Sequence, residues 1–334
     1  MSRWVNRRKS TAGRVSAGVE HWRIAATIVC AVGLATSVPA AQTYSSGQNA
    51  SPAFEGWERN EDGSFAFVFG YMNRNWEEEL NVPVGPENAI EPGGPDRGQP
   101  TRFLPRRNRF AFRVTVPRDW GDKELVWTLT TKGKTEKAYA TLRQDYFMDD
   151  VVIASETGAL GAGSSSPEVR ANKRPVIKID GEKQRMVKVG EPLALAAWVS
   201  DDGVPKPRAA ASAAATARAL ALLANASPNA PRNPAYNPPS RLTVNKRTGL
   251  HMMWFVYRGE GHARFEPMQI KPWEDTRTGA NSPWAPLWTA PPAPKDGKHT
   301  ATVTFDRPGT YVLRARADDG ALSADDELTV VVTL

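Results

Sequence analysis

The sequence has little of what most covalent or metal-dependent catalysis requires. Its 334 residues include one cysteine and four histidines. The cysteine, Cys30, lies in an N-terminal apolar segment, so the rest of the chain can form no disulfide and has no thiolate. His251, His262 and His299 lack the spacing of a zinc site, and no nucleophile elbow, phosphate loop or dinucleotide fingerprint occurs. The sequence therefore predicts no catalytic residues and no enzymatic activity.

A long hydrophobic run is also absent. The apolar stretch from Ile24 to Val38 has about fifteen residues, whereas a membrane-spanning helix needs about twenty. Basic residues precede it and small residues follow it, as in an export signal that is cleaved after Ala40 or Ala41. The Arg7-Arg8 pair leaves the twin-arginine route open beside the general one. We therefore expect a signal peptide at 1–40, a periplasmic or secreted mature protein, and no transmembrane anchor after cleavage.

The positive charge of the chain belongs mainly to that signal. The whole sequence has 43 Lys and Arg against 36 Asp and Glu, a net charge of +7. Removing residues 1–40 takes away six of the basic residues and one acidic residue, which leaves 37 against 35, or +2. Nucleic-acid binding depends on a clustered excess of Lys and Arg. The mature protein is therefore not expected to bind nucleic acid.

Alternation of bulky and small residues with a period of two predicts β-strands. Phe65, Phe67 and Phe69 fall on one face of such a strand, after a Glu-Asp-Gly turn. The same period recurs at 109–116, where a proline ends it, and at 125–131, which precedes a Lys-Gly-Lys turn. These strands predict a first β-sandwich module.

A long polar connection, 73–107, separates the first two of these strands. It is rich in Pro and Gly and has no strong apolar period. Connections of this length are either functional or partly disordered. We therefore treat 73–107 as a candidate binding loop.

Composition divides the rest of the chain. A Gly- and Ser-rich segment at 154–172 is typical of a linker, and an Ala-rich segment followed by Pro- and Asn-rich sequence favours a helical or mobile insertion in the second module. The predicted fold class is all-β, with two immunoglobulin-like β-sandwiches. Its parts are a flexible lead-in at 41–53, a first module at 54–153, the linker at 154–172, and a second module at 173–334 with the insertion at 205–239.

Several short segments after residue 173 carry a resemblance to a known family, namely 189–195, 200–203, 251–257, 302–305, 308–313, 316–320 and 328–332. Together they resemble the PKD and related immunoglobulin-like domains of bacterial surface and secreted proteins. The resemblance implies a two-sheet sandwich in which Trp254 fills the space between the sheets. The first module, through residues 69–79, is similar to modules of uncharacterised secreted bacterial proteins, and that similarity implies no function.

Two acidic pairs are candidate calcium ligands. Asp201-Asp202 and Asp318-Asp319 lie in predicted loops at strand ends, where carboxylates and carbonyls can surround a hard cation. The alternative is ordinary turn chemistry, in which an Asp side chain bonds its own backbone and a following Gly takes a positive φ. The sequence favours the turn, because it has no regularly spaced ligand loop.

Four tryptophans are candidate ligand-binding residues. Trp273, Trp284 and Trp288 recur in a Pro-rich segment, where exposed rings could stack on sugars or dock a protein. They could equally cover the end of the sandwich core. Trp76 precedes the glutamates 77–79, which we interpret as a solvated acidic rim contacting Arg106, Arg107 or Arg109 and not as a glycosidase pair.

These observations favour a non-catalytic exported binding or scaffold protein of the cell envelope. Its expected partner is an envelope protein or a polysaccharide, recognised through the long loops. Two alternatives stay open: an accessory domain pair of a carbohydrate-active or proteolytic system, and a structural subunit of an envelope assembly. No cofactor is expected apart from the calcium considered above.

Overall fold

Strands dominate the residues that the computed structural model describes, which are 44–156, 166–207, 248–274, 290–291 and 293–334. The first eight strands are β1 (Ala50–Arg59), β2 (Phe65–Asn73), β3 (Leu80–Asn81), β4 (Asn88–Glu91), β5 (Arg102–Phe103), β6 (Arg106–Val116), β7 (Leu125–Thr131) and β8 (Lys134–Ala140). A 3-10 turn (Gln144–Tyr146) and the helices α1 (Asp150–Glu156) and α2 (Pro167–Ala171) follow. The remaining strands are β9 (Val176–Ile179), β10 (Gln184–Lys188), β11 (Leu193–Ser200), β12 (His251–Arg258), β13 (Ala263–Glu266), β14 (Lys298–Phe305), β15 (Gly309–Asp318) and β16 (Ser323–Thr333). The protein is therefore all-β, as predicted.

Some sequence predictions fall on other parts of the chain. The signal peptide at 1–40 and almost all of the insertion at 205–239 lie outside the described residues. Neither described helix is long and apolar enough to cross a membrane. The described residues belong to one compact unit, Tyr44–Leu334.

The first sandwich packs the sheet β1-β2-β6 against the sheet β4-β7-β8. The period-two alternation places Phe67, Phe69, Leu125 and Leu129 in its core with no exposed surface, and Phe65 packs at the core margin. Trp127 lies at the centre, where the ring of Phe69 meets it edge-on at 5.8 Å between centroids. The expected common face of the three phenylalanines is confirmed.

The other face of β2 is buried as well. Val68 packs in a smaller apolar cluster with Ile153 of α1 and Val169 of α2. Composition alone predicts a linker at 154–172, but both of its flanks are helical and residues 157–165 lie outside the described residues. Helices as short as these have little stability of their own, so packing against the sandwich holds them.

The connection 73–107 contains the three short strands β3, β4 and β5, which its composition does not predict. A buried side chain organises it: Asn88 donates to the carbonyls of Val82 and Pro100 at 3.0 and 2.8 Å. The indole N–H of Trp127 donates to the Asn88 side-chain oxygen at 2.9 Å. Side-chain hydrogen bonds organise these short strands in place of a regular backbone ladder. Their sequences therefore show little alternation of apolar residues, and sequence analysis does not predict them.

The second sandwich has immunoglobulin topology. One sheet has the order β10-β16-β15-β12 and the other β13-β14-β11-β9, which matches the division of that fold into its two sheets. Trp254 fills the space between them and is 1% exposed. Tyr311 is the third residue of β15, and its hydroxyl donates to the carbonyl of Arg307 at 3.0 Å, as in the tyrosine corner of such domains. The immunoglobulin-like part of the resemblance is confirmed, and the PKD subfamily stays a prediction.

The two sandwiches meet at β12, which is buried on both of its faces. Its side chains alternate between the two cores because successive residues of a strand point to opposite sides. The second core takes Met252, Trp254 and Val256, and the first core takes Met253, Phe255 and Tyr257. One strand thus supplies apolar surface to both sandwiches.

Candidate functional site

A cavity of about 340 Å³ lies where the first sandwich meets the free edge of β12. The first sandwich contributes residues from within 73–107, and the second contributes β12, the start of β13 and the segment after β13. The lining residues used below are Trp76, Glu77, Glu79, Arg102, Trp254, Val256, His262, Phe265, Gln269, Lys271 and Trp273. Cavities of this volume accept small ligands or single segments of larger ones. Both loops that the sequence singled out, 73–107 and the one opening at Trp273, therefore reach the same cavity.

Trp76 and Trp273 form one wall of this cavity. Their ring centroids are 6.3 Å apart and their planes meet at 78°. Each residue is 8% exposed, and the guanidinium of Arg106 stacks 3.8 Å from the centroid of Trp76. The two rings are therefore mostly enclosed by protein, and neither offers a broad open face to solvent.

Trp76 is held in place by a network of asparagines at the end of β2. The amide of Asn73 donates to the carbonyls of Glu78 and Phe103 at 2.8 and 3.0 Å. Its side-chain oxygen accepts the backbone N–H of Asn75 at 3.0 Å. Asn73 and Asn75 have no exposed surface, so these bonds fix the turn that carries Trp76.

Two ion pairs frame the cavity, and all of their side chains except that of Glu79, which is 37% exposed, are buried. Arg102 donates to Glu79 at 2.5 Å and to the carbonyl of Gly261 at 2.9 Å, and its guanidinium lies 3.1 Å from His262 Nδ1. Lys271 and Glu274 are each 4% exposed at their side chains and are 3.3 Å apart. A buried charge is stable only with its partner in place, so these pairs hold the walls in one geometry.

The glutamates beside Trp76 do not contact the arginines that the sequence suggested. Glu78 binds Lys132 at 2.6 Å, and Glu79 binds Arg102. Arg107 and Arg109 instead bind Glu55, whose side chain is 2% exposed. The expectation was wrong because Arg107 and Arg109 of β6 pair with Glu55 of β1, whereas Arg102 reaches Glu79 from β5. Glu77 and Glu79 still give the cavity an acidic rim.

A second group of charges, with buried arginines, lies at the boundary between the two sandwiches. Arg314 donates to the carbonyl of Ala111 in β6 at 2.5 Å, and its guanidinium lies 3.4 Å from the ring centroid of Tyr257. Arg316 binds both oxygens of Asp325 at 2.6 and 2.7 Å. Burial alone would raise the pKa of Asp325, but the adjacent Arg316 and Arg314 hold it at about 2. These contacts resist relative movement of the two cavity walls.

The acidic pairs considered as calcium ligands take part in turns. The Oδ1 of Asp319 accepts the backbone N–H groups of Ala321 and Leu322 at 2.6 and 2.7 Å. Asp201 accepts from Gly203, and Asp202 from Val204, both at 2.9 Å, while Gly320 donates to Asp318 at 2.7 Å. Among the described residues, no group of three or more metal-ligating side chains converges. These contacts favour the turn interpretation of the four carboxylates.

Asp319 is expected to make the stability of the protein depend on pH. Burial raises its pKa to about 6, although backbone N–H groups and Asn172 oppose that rise. The buried Oδ1 of Asn172 has no partner among the described residues and, after rotation of the amide, could accept a hydrogen bond from the carboxyl O–H of neutral Asp319. An unfolded Asp has a pKa of about 3.9, so the stabilisation is complete below pH 4 and is lost as the pH rises through 6.

The expected loss is about 2–3 kcal/mol of unfolding free energy between pH 4 and pH 7. Urea denaturation at a series of pH values measures it. The Asp319→Asn variant, which cannot ionise, should lack this fall. If the variant and the wild type show the same pH profile, the effect does not come from Asp319.

The other candidate tryptophans and the histidines that the sequence analysis considered are not placed at the cavity by the described residues, apart from His262. Trp284 and Trp288 are outside the described residues, so their role stays a prediction. His251 lies within 2.9 Å of the carbonyl of Gly249, and burial lowers the pKa of His299 on β14. Sequence analysis missed Arg102, His262, Phe265, Gln269 and Lys271 as cavity residues. Arg102 is far in sequence from the other four, which all fall within 262–271, and only the packing of the two sandwiches brings the two groups together.

Comparisons with known proteins identify no family. No protein-family description matches the sequence, and no curated protein matches it. Among solved structures, domains 4 and 5 of the S-layer protein SbsC are 10% identical over 64% of this chain and 66% of that one, with a TM-score of 0.21. The Yersinia pseudotuberculosis adhesin InvE is 8% identical over 87% of this chain and 61% of its own, also with a TM-score of 0.21. The chain thus spans less than two thirds of either structure, and at these TM-scores neither likeness supports an argument about function.

Proposed function

We propose that this protein is an exported, non-catalytic binding protein whose ligand enters the cavity beside Trp76 and Trp273. The observation that carries the proposal is the convergence of two long, sequence-distant segments on one partly enclosed cavity with an aromatic wall and an acidic rim. A cavity with apolar walls and a few fixed polar groups is the usual form of a binding site. The export signal that the sequence predicts at 1–40 supports an exported location.

The walls of the cavity are suited to binding because they are already fixed. Arg102 connects the first sandwich to Gly261, and Arg314 connects the second sandwich to Ala111. A rigid site loses little conformational entropy when the ligand arrives. The same rigidity suits a scaffold that presents a partner at a defined angle. Because export is expected, the proposed partner is an envelope protein or a polysaccharide.

The test compares cavity variants with a variant on a distant surface. Intrinsic tryptophan fluorescence follows titration of the full-length protein with panels of envelope polysaccharides and peptides. Trp273→Leu and Glu77→Ala should weaken binding about five- to thirtyfold, since each loses a contact of roughly 1–2 kcal/mol at the cavity. Trp198→Ala should bind normally, because Trp198 is 43% exposed on the outer face of β11.

Glu77→Ala keeps the test decisive if Trp273→Leu does not fold, because Glu77 is exposed and makes no ion pair with another described residue. Thermal unfolding of each variant checks that the fold is intact. If folded cavity variants bind every ligand of the panels as the wild type does, the cavity is not the binding site and the proposal fails.

A further inference from the structure

The cavity runs along the outer edge of β12, beside which the described residues place no further strand. This strand is the outermost one of its sheet, which has the order β10-β16-β15-β12. Three consecutive residues, Trp254, Phe255 and Val256, line the cavity. Side chains of consecutive strand residues point to opposite faces, so contact with all three is contact with the edge of the strand.

The backbone of this edge is only partly paired by strand neighbours. The N–H of Trp254 donates to the side-chain oxygen of Gln269 at 3.3 Å, which identifies the edge away from β15. The backbone groups of Val256 point the same way, because strand hydrogen bonds alternate with a period of two. At the end of the strand the carbonyl of Tyr257 accepts from Thr101 of the first sandwich at 3.2 Å. Gln269 and Thr101 thus bracket an interval of about 10 Å along the strand.

The group that occupies one end of this interval is an amide. The side-chain amide of Gln269 offers β12 a carbonyl oxygen of the kind that a peptide backbone would offer. Its hydrogen bond with Trp254 is long, at 3.3 Å. A peptide backbone beside β12 could replace it with bonds in strand geometry, to Trp254 and to Val256. Exposed strand edges are recognised in this way by extended peptides, with affinity from the main chain and specificity from pockets for alternate side chains.

We propose that the cavity binds an extended peptide segment, which adds to β12 as a further strand and displaces Gln269. This inference deepens the proposed function and rests on it. The side chains of such a peptide would alternate between the Trp76–Trp273 wall and the side lined by Phe265. A basic residue of the peptide would lie beside Glu77 and Glu79.

The aromatic residues favour a peptide over a glycan. Sugar rings bind to broad open aromatic faces, but the ring of Trp76 is already covered by Arg106 at 3.8 Å. Trp273 meets Trp76 edge to face, and both residues are 8% exposed. The accessible edges of the two rings can form the wall of a pocket for a peptide side chain. They offer little surface on which a sugar ring could stack.

The experiment selects linear heptapeptides from a random library on the full-length protein and then methylates the backbone nitrogens of a selected peptide one at a time. Methylation removes a hydrogen-bond donor without changing the side chains. Strand addition predicts losses of affinity of tenfold or more at alternate positions, and small changes between them. Gln269→Ala should retain binding or improve it, since the displaced group is absent, whereas Trp273→Leu and Glu77→Ala should weaken it.

The other outcomes separate this inference from the proposed function. If methylation has the same effect at every position, the cavity binds peptides but not as a strand, and the inference is overturned. If no peptide depends on the cavity residues while a polysaccharide does, the inference is overturned and the proposed function stands. If no ligand of either class depends on them, both fail.

Discussion

Replacement of Trp127 by alanine is expected to lower the free energy of unfolding by about 3–5 kcal/mol. Trp127 has no exposed surface, and the rings of Phe69, Phe103 and Phe112 surround it with centroids 5.0–6.2 Å away. Its removal leaves a cavity at the centre of the first sandwich that rigid neighbours cannot fill. Urea denaturation followed by circular dichroism measures the change.

Two control variants separate the packing of Trp127 from its hydrogen bond. Trp127→Phe retains most of the ring but loses the donor to Asn88, so about 1–3 kcal/mol should be lost from the unpaired oxygen. Trp198→Ala, on the exposed face of β11, should cost about 1 kcal/mol or less. A Trp127→Ala protein as stable as Trp198→Ala would contradict the location of the core.

The second large effect is expected at the boundary between the sandwiches. Arg316→Ala should lower the free energy of unfolding by about 1–3 kcal/mol, because it removes a buried side chain and the bidentate partner of Asp325, while water that reaches the partly exposed carboxylate limits the loss. The pKa of Asp325, about 2 in the native protein, should then rise. Native Asp325 stabilises the fold above its unfolded pKa of about 3.9, and that contribution is lost as the pH falls through 2.

A double variant tests whether the loss comes from an uncompensated charge. In Arg316→Met with Asp325→Leu both charges are absent, and stability should return to within about 1 kcal/mol of the wild type. Chemical denaturation at pH 7 compares the three proteins. Equal destabilisation by the single and the double variant would show that the packing of the Arg316 chain against Phe255, 5.9 Å away, matters more than its charge.

Local alternation was sufficient to identify three strands of the first core, β2, β6 and β7, but not β1, which begins within the predicted lead-in at 41–53. The predicted strand at 125–131 coincides with β7, and the predicted turn after it carries Lys132 and Gly133 at φ of 52° and 73°. Strands such as these bury one face, so their side chains alternate visibly in the sequence. The strands within 73–107 could not be predicted in this way. The buried side chain of Asn88 supplies hydrogen bonds that organise this region, and a single asparagine leaves no periodic pattern in the sequence.

The sequence by itself determined the all-β class, the candidate roles of Trp76 and Trp273, and the expected export, because each rests on neighbouring residues. Only the tertiary structure decided that Trp76 and Trp273 share one wall, that Arg102 rather than Arg106 pairs with the acidic rim, and that β12 serves two cores. These contacts join residues from separate strands, and their geometry depends on how the sheets pack. No local period records such packing.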